Sequence, residues 1–113
     1  MKGTYLRFYM HENQKLHGIL GYEWLLEKAK NMGIHGGSAF KAIAGFGRKG
    51  ILHEDHFYEL AGDLPVKVVF DVTDDEAQRL MQLIHDEKVT LFYARSPVEF
   101  GVINGAENKG KTQ

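Results

Sequence analysis

The chain has 113 residues, the length of a single domain, and its 43% hydrophobic and 26% charged residues are an ordinary globular balance. A formal net charge of −1 argues against a general nucleic-acid binder, and the lack of cysteine excludes disulfides, zinc–thiolate centres and thiol nucleophiles. No apolar run approaches the roughly 18 residues of a membrane-spanning helix, so we expect a cytoplasmic protein without membrane insertion.

The first half of the chain predicts a strand, a helix and a second strand. Leu6, Phe8 and Met10 occupy alternate positions, which is typical of a strand with one buried face. Further along, apolar residues recur at helical spacing, and Gly33 is suited to the position after the helix end. The predicted elements are a strand over 4–10, a polar loop over 11–18, a helix over 19–32 with a stripe of Tyr22, Leu25, Leu26, Ala29 and Met32, and a strand over 38–44.

The second half predicts a strand, a helix and a final strand. Thr73 and Glu76 have the spacing of a capping box, which starts a helix. Ser96 and Pro97 are predicted to interrupt the final strand. The predicted elements are a connection over 51–63, a strand over 64–72, a helix after 73–76, a strand over 89–95, extended structure over 98–103 and a disordered tail over 104–113.

This order predicts a ferredoxin-like βαββαβ domain of the α+β class over residues 1–103, with one antiparallel sheet and both helices on one face. The other face of the sheet is predicted to stay open. It would mix apolar side chains with charges, namely Tyr5, Tyr9, Ile43 and Val69 with Arg7, Lys41, Lys67 and Asp71. An exposed apolar patch of this kind marks an interface, which favours a closed homo-oligomer.

A glycine-rich stretch follows the second predicted strand. Gly45, Gly47 and Gly50 permit positive φ or the close approach of another group, because they have no Cβ. Arg48 and Lys49 lie between these glycines, and bare backbone beside paired cations suits an anionic ligand. The alternative is a bulged strand end with solvated cations. The spacing also fits the dinucleotide-binding fingerprint, but no helix is predicted after it, which excludes that interpretation.

Other candidate motifs indicate little chemistry. Residues 105–112 match the P-loop pattern, but no helix follows to supply N–H groups, so we interpret the match as a coincidence. His53 and His56 would point to opposite faces of a strand, which disfavours a metal site. Neither Ser38 nor Ser96 lies in a nucleophile-elbow pattern. We therefore predict no catalytic residue, no metal ligand and no enzymatic activity.

Two motifs carry a resemblance to a known family. Residues 44–47 read Ala-Gly-Phe-Gly, and residues 60–66 read Leu-Ala-Gly-Asp-Leu-Pro-Val. Together they resemble the PII nitrogen-regulatory signal-transduction proteins and, more closely, PII-like relatives of unknown function. The similarity extends from Leu6 to Ile103. It implies a ferredoxin-like subunit and a homotrimer whose sheets pack inward.

The resemblance also implies a regulatory or sensor protein that binds a small anionic ligand, with an adenine nucleotide as one candidate, in clefts between subunits. The ligand-binding residues would be Gly45, Phe46, Gly47, Arg48, Lys49 and Gly50. A loop over 49–63 would signal to a partner such as a membrane transporter, a channel or an enzyme, through His53, Glu54, His56 and Tyr58.

The chain departs from the PII pattern at the phosphate loop. PII proteins hold phosphates with Gly-Asp-Gly-Lys, whereas residues 86–90 read Asp-Glu-Lys-Val-Thr. Two carboxylates beside a triphosphate would repel it, so the ligand could be smaller or differently placed, or there could be none. Two alternatives to the sensor stay open: a metal-binding or enzymatic trimer that uses histidines and glutamates at the clefts, and an interaction scaffold without a small ligand.

Overall fold

The computed structural model describes residues 1–46 and 64–105, which contain six strands and two helices. The strands are β1 (Lys2–His11), β2 (Lys15–Leu16), β3 (Ile19–Leu20), β4 (Ser38–Lys41), β5 (Pro65–Val72) and β6 (Phe92–Glu99). The helices are α1 (Gly21–Asn31) and α2 (Asp74–Asp86). Apart from the small β2–β3 pair, the described elements follow the predicted βαββαβ order.

The main sheet has four strands in the order β4–β5–β1–β6, and every neighbouring pair is antiparallel. The predicted alternation along β1 is confirmed, because Leu6, Phe8 and Met10 are buried while the residues between them are half-buried. Along β5 the same alternation buries Val68 and Phe70. Both helices pack on the side of the sheet that carries these buried residues, and the core lies between the helices and the sheet. The α+β, ferredoxin-like fold is confirmed.

The helix ends are fixed by the caps that the sequence predicts. At the end of α1, Gly33 has a φ of 96°, and the N–H of Ile34 donates to the carbonyl of Ala29 at 3.1 Å. Glycine reaches this left-handed conformation without steric cost, which closes the helix. At the start of α2, the Thr73 hydroxyl accepts from the Glu76 N–H at 3.1 Å, and the Glu76 carboxylate accepts from the Thr73 N–H at 3.0 Å.

The prediction of a polar loop over 11–18 and a helix from residue 19 is wrong. Lys15–Leu16 pairs with Ile19–Leu20 as a small hairpin, and α1 begins at Gly21. His17 and Gly18 form its two-residue turn with φ values of 52° and 86°, the signs that a type I′ turn requires. The turn lies close to Trp24, whose ring centroid is 5.5 Å from that of His17. The hairpin thus explains why Trp24, which the helical stripe omitted, is buried.

The last strand also differs from the prediction. β6 begins at Phe92 rather than at residue 89, continues through Ser96 and Pro97, and ends at Glu99. Pro97 lies opposite Thr4 of β1, and among the described strands β6 has no second neighbour. A proline is tolerated on such an edge because its missing N–H is not needed by another strand. Residues 100–105 are not part of the strand.

The register of β4 corrects the predicted open face at two positions. Lys41 lies opposite the buried Val66, so it belongs to the helix side of the sheet. Ile43 follows the end of β4 and is 97% exposed. Phe40 lies opposite Lys67 and takes the place on the open face. A shift of one residue in register moves every side chain of a strand to the other face, which accounts for the error.

Candidate functional site

The open sheet face carries a row of aromatic and basic side chains across all four strands. Phe40, Lys67, Tyr9 and Phe92 lie side by side in the registers that join β4, β5, β1 and β6. The Tyr9 and Phe92 rings have centroids 5.4 Å apart. The Lys67 ammonium lies 5.9 Å from the centre of the Phe40 ring. Each aromatic ring of the row therefore has an aromatic or cationic neighbour within the chain.

A second row on the same face is built around Arg7. Val69 lies opposite Arg7 on β5, and Ala94 lies opposite it on β6. The guanidinium lies 4.6 Å from the centre of the Tyr5 ring and donates to the Ser96 hydroxyl at 3.5 Å. Aromatic residues and arginine are the types that are enriched in protein–protein interfaces. The open face combines both, with two cations held against rings.

The end of β4 leads into the glycine-rich stretch. The Ala42 N–H donates to the Pro65 carbonyl at 2.9 Å, which extends the pairing with β5 just past the strand. Gly45 has a φ outside the left-handed region, and a Cβ added there would meet Pro65 Cγ at 3.4 Å, an ordinary contact. Phe46 is 72% exposed. Neither backbone strain nor packing within the described chain therefore requires glycine at position 45.

Most of the predicted ligand and partner residues fall outside the described ranges. These are Gly47, Arg48, Lys49 and Gly50 of the ligand set, and His53, Glu54, His56 and Tyr58 of the loop. The described part of the predicted site consists of Gly45 and Phe46.

Glu12 connects the two described flanks of the segment 47–63, a role that sequence reasoning did not predict. Its carboxylate accepts from the Lys41 ammonium at 3.1 Å and from the Leu64 N–H at 3.4 Å. Its own N–H donates to the Leu64 carbonyl at 2.9 Å. The hydrogen bond from Lys41, and then that from the Leu64 backbone, holds the pKa of Glu12 below the ordinary value of 4.5. Contacts between residues so distant in sequence leave no local pattern from which they could have been found.

The end of α2 and the residues before β6 lie where the resemblance to PII proteins predicts a phosphate loop. The N–H groups of Glu87, Lys88 and Val89 donate to helix carbonyls at 3.0, 3.0 and 3.3 Å. Lys88 has a φ of 59°, so it takes the left-handed position that usually belongs to glycine. The Glu87 carboxylate lies 3.2 Å from His17 Nε2. These three backbone N–H groups are used to close the helix and do not point together at a ligand.

A shallow groove runs between the start of α2 and β6. Its lining includes Lys2 and Arg95 as cations and Asp74 and Glu99 as acids. The buried Thr4 hydroxyl donates to Asp74 at 2.6 Å, so one acid of the groove is already engaged by the chain. In residues 1–46 and 64–105, no group of three histidine or acidic side chains is placed to hold a metal ion. No helix of these ranges is long and apolar enough to cross a membrane.

The four-stranded sheet with both helices on one side defines an α+β protein with a ferredoxin-like fold. The chain belongs to the family DUF190, described as "Uncharacterized ACR, COG1993", which matches residues 3–98. The family resemblance that the sequence motifs indicate is thereby confirmed.

Two curated relatives and one solved structure illustrate the similarity. The chain is 31% identical to a UPF0166 protein of Aquifex aeolicus (strain VF5), over 80% of this chain and 90% of that protein. It is 28% identical to the UPF0166 protein MJ1524 of Methanocaldococcus jannaschii, over 76% and 79% of the two chains. The crystal structure of a candidate PII-like signalling protein from Thermus thermophilus superposes with a TM-score of 0.57 at 17% identity, over 86% of this chain and 87% of that one. At 17% identity, this structural similarity shows a shared fold and nothing more.

Proposed function

We propose that the protein is a PII-like regulatory or sensor protein. In this proposal it forms a homotrimer, binds a small anionic ligand in the clefts between subunits, and signals to a partner protein through residues 49–63. The observation that carries the proposal is the exposed end of β4, where Gly45 and Phe46 leave the sheet beside Lys41. Membership of DUF190 and the fold likeness to a candidate PII-like signalling protein support the class.

The open sheet face supports the homotrimer. Phe40 and Phe92 remain 54% and 47% exposed there, beside the half-buried Tyr9 and Val69. The exposure of large aromatic side chains to water is unfavourable, and burying them against another subunit stabilises the assembly. Arg7 and Lys67 lie among the rings of this face. A second sheet can therefore pack on apolar surface while each of these two cations keeps its contact with a ring of its own chain.

The chemistry of the ligand site favours an anion. The predicted ligand residues Arg48 and Lys49 are separated from Gly45 and Phe46 only by Gly47, and Lys41 lies at the same end of β4. A side chain at position 45 would fit within the subunit. Glycine at this position is therefore consistent with the close approach of a ligand or of another subunit. An adenine nucleotide is one candidate. The N–H groups of residues 87–89 are used by α2, so phosphates would be held from the β4 side instead.

Thermal-shift measurements test whether such a ligand binds. A ligand that binds only the native protein raises its melting temperature, so we expect an increase with adenine nucleotides, pyrophosphate or another polyanion. A response to divalent metal ions alone would favour the metal-binding alternative. No response to any small ligand, in a protein that does assemble, would favour the interaction scaffold.

Calorimetry on two variants then tests the site itself. Arg48→Ala should weaken an anion by the loss of a charge-assisted hydrogen bond, about 1.5–3 kcal/mol or roughly ten- to a hundredfold. Gly47→Val should block the approach of the ligand through its branched side chain. Each variant is compared with the unmutated protein by circular dichroism and by its mass in solution. Unchanged affinity in both would place the ligand elsewhere and leave the glycine stretch as a structural bend.

A further inference from the structure

The described strand positions of the open sheet face carry two cations and a single acid. Arg7 lies on the inner strand β1, and Lys67 and Asp71 lie near opposite ends of its neighbour β5. Arg7 and Lys67 are half-buried, and each contacts a ring of its own chain. Asp71 is exposed, and its carboxylate makes no hydrogen bond or ion pair within residues 1–46 and 64–105. The acid of this face is therefore available to a group outside the described chain.

We propose that, in the assembled homotrimer, Asp71 of each subunit pairs with Arg7 of the next subunit. This inference rests on the proposed function, because it names the contact by which the open faces recognise one another. A second copy of this chain is the partner that the charges favour, since its open face brings both a cation and an acid. When the contact runs in one direction around a closed ring, every Arg7 and every Asp71 is used once.

Burial of the open face creates the need for such a partner at Arg7. This residue lies between β5 and β6, so a second sheet packed on the face would enclose its guanidinium, whose contacts with the Tyr5 ring and the Ser96 hydroxyl supply no negative charge. A buried charge without a counter-charge is costly, whereas a carboxylate can take two parallel hydrogen bonds from a guanidinium. Because Asp71 does not pair with Arg7 of its own chain, the carboxylate comes from another copy. Lys67 needs no such partner, since its ammonium ends a flexible side chain beside the edge strand β4 and can stay in water.

Exchanging the two charges tests the pairing, with light scattering over a dilution series as the measurement. Asp71→Asn and Asp71→Arg should each raise the concentration at which the trimer dissociates, by at least about tenfold for the second variant. The double variant Arg7→Asp with Asp71→Arg should return this concentration towards that of the unmutated protein. Circular dichroism establishes that each variant is folded.

The outcomes separate the pairing from the homotrimer. Unchanged dissociation in both Asp71 variants, or a folded double variant that does not recover, would overturn the pairing and leave the homotrimer in place. A monomeric mass for the unmutated protein would overturn both.

Mixing two kinds of chain tests whether the pair lies between subunits. The double variant is isotopically labelled and refolded together with the unmutated chain, and native mass spectrometry counts the chains of each kind in every trimer. A contact between unlike chains would set two acids or two cations against each other, so the two kinds should sort into separate trimers. The matched control exchanges Asp75 and Arg79, whose ion pair of 3.0 Å lies within α2, and this variant should mix with the unmutated chain at random. Random mixing of the Arg7–Asp71 exchange as well would overturn the proposal.

Discussion

Placing a positive charge at Val69 should dissociate the proposed homotrimer. Val69 lies near the middle of the open face, directly opposite Arg7, and Lys67 is two residues away on the same face. In Val69→Lys the new ammonium would be buried at the interface directly opposite Arg7, and the nearest positions on its own strand and face, Lys67 and Asp71, carry opposite charges that balance each other. An uncompensated buried charge costs roughly 3–5 kcal/mol, and the three copies in a trimer would cost roughly 9–15 kcal/mol. A loss of this size leaves monomers at micromolar concentration.

Multi-angle light scattering after size exclusion measures the effect directly. Gln82→Lys is the matched control, because it adds the same charge at an exposed position on α2 and should keep the mass of the unmutated protein. In the monomer, Val69→Lys should lose only the small free energy of like charges on neighbouring strands, so circular dichroism should show a folded chain. A monomeric mass for the unmutated protein would refute the trimer. A trimeric mass for Val69→Lys would refute the assignment of this face to the interface.

Three further predictions concern stability. Thr73→Ala should destabilise the protein by about 1 kcal/mol in urea unfolding, because α2 loses its N-cap, whereas Thr73→Ser should be nearly neutral. Lys88→Gly should stabilise it by about 0.5–1 kcal/mol in the same assay, because glycine relieves the left-handed conformation at φ 59°. The pKa of Glu12 in the folded protein lies below the unfolded value of 4.5, mainly because of its hydrogen bond with Lys41. The Glu12 carboxylate therefore stabilises the folded protein at a pH above 4.5, and this stabilisation is lost as the pH falls through the folded pKa. The melting temperatures of wild type and Glu12→Gln should therefore converge in acid.

The parts of the fold that could be predicted are those with a strong local pattern. From Leu6 to Met10 in β1 and from Val66 to Val72 in β5, large apolar residues occupy every second position, so the buried face was evident from the sequence. Thr73 and Glu76 satisfy each other's backbone groups within one turn, so the start of α2 was evident as well. In both cases the decisive contacts lie between residues whose spacing the sequence displays.

The parts that could not be predicted depend on contacts between distant residues. β4 has only four residues, Ser-Ala-Phe-Lys, with a single large apolar side chain, so its register comes from β5 and not from its own alternation. The β2–β3 turn uses His17 and Gly18 instead of the more typical Asn-Gly, which hides the hairpin. The burial of Trp24 then follows from that hairpin, and the role of Glu12 follows from the register of β4.

The two ends of the predicted cleft differ in what they can offer a phosphate. At the end of α2, the backbone N–H groups of Glu87, Lys88 and Val89 are bonded to helix carbonyls, and the Glu87 carboxylate adds negative charge. A phosphate there would meet a carboxylate and few free donors. At the end of β4, Lys41 is held by a single exposed ion pair, which an anion can replace without opening a helix. If an anion regulates this protein, its recognition should therefore depend on the β4 end, and a ligand that needs several backbone donors from the α2 end should bind poorly.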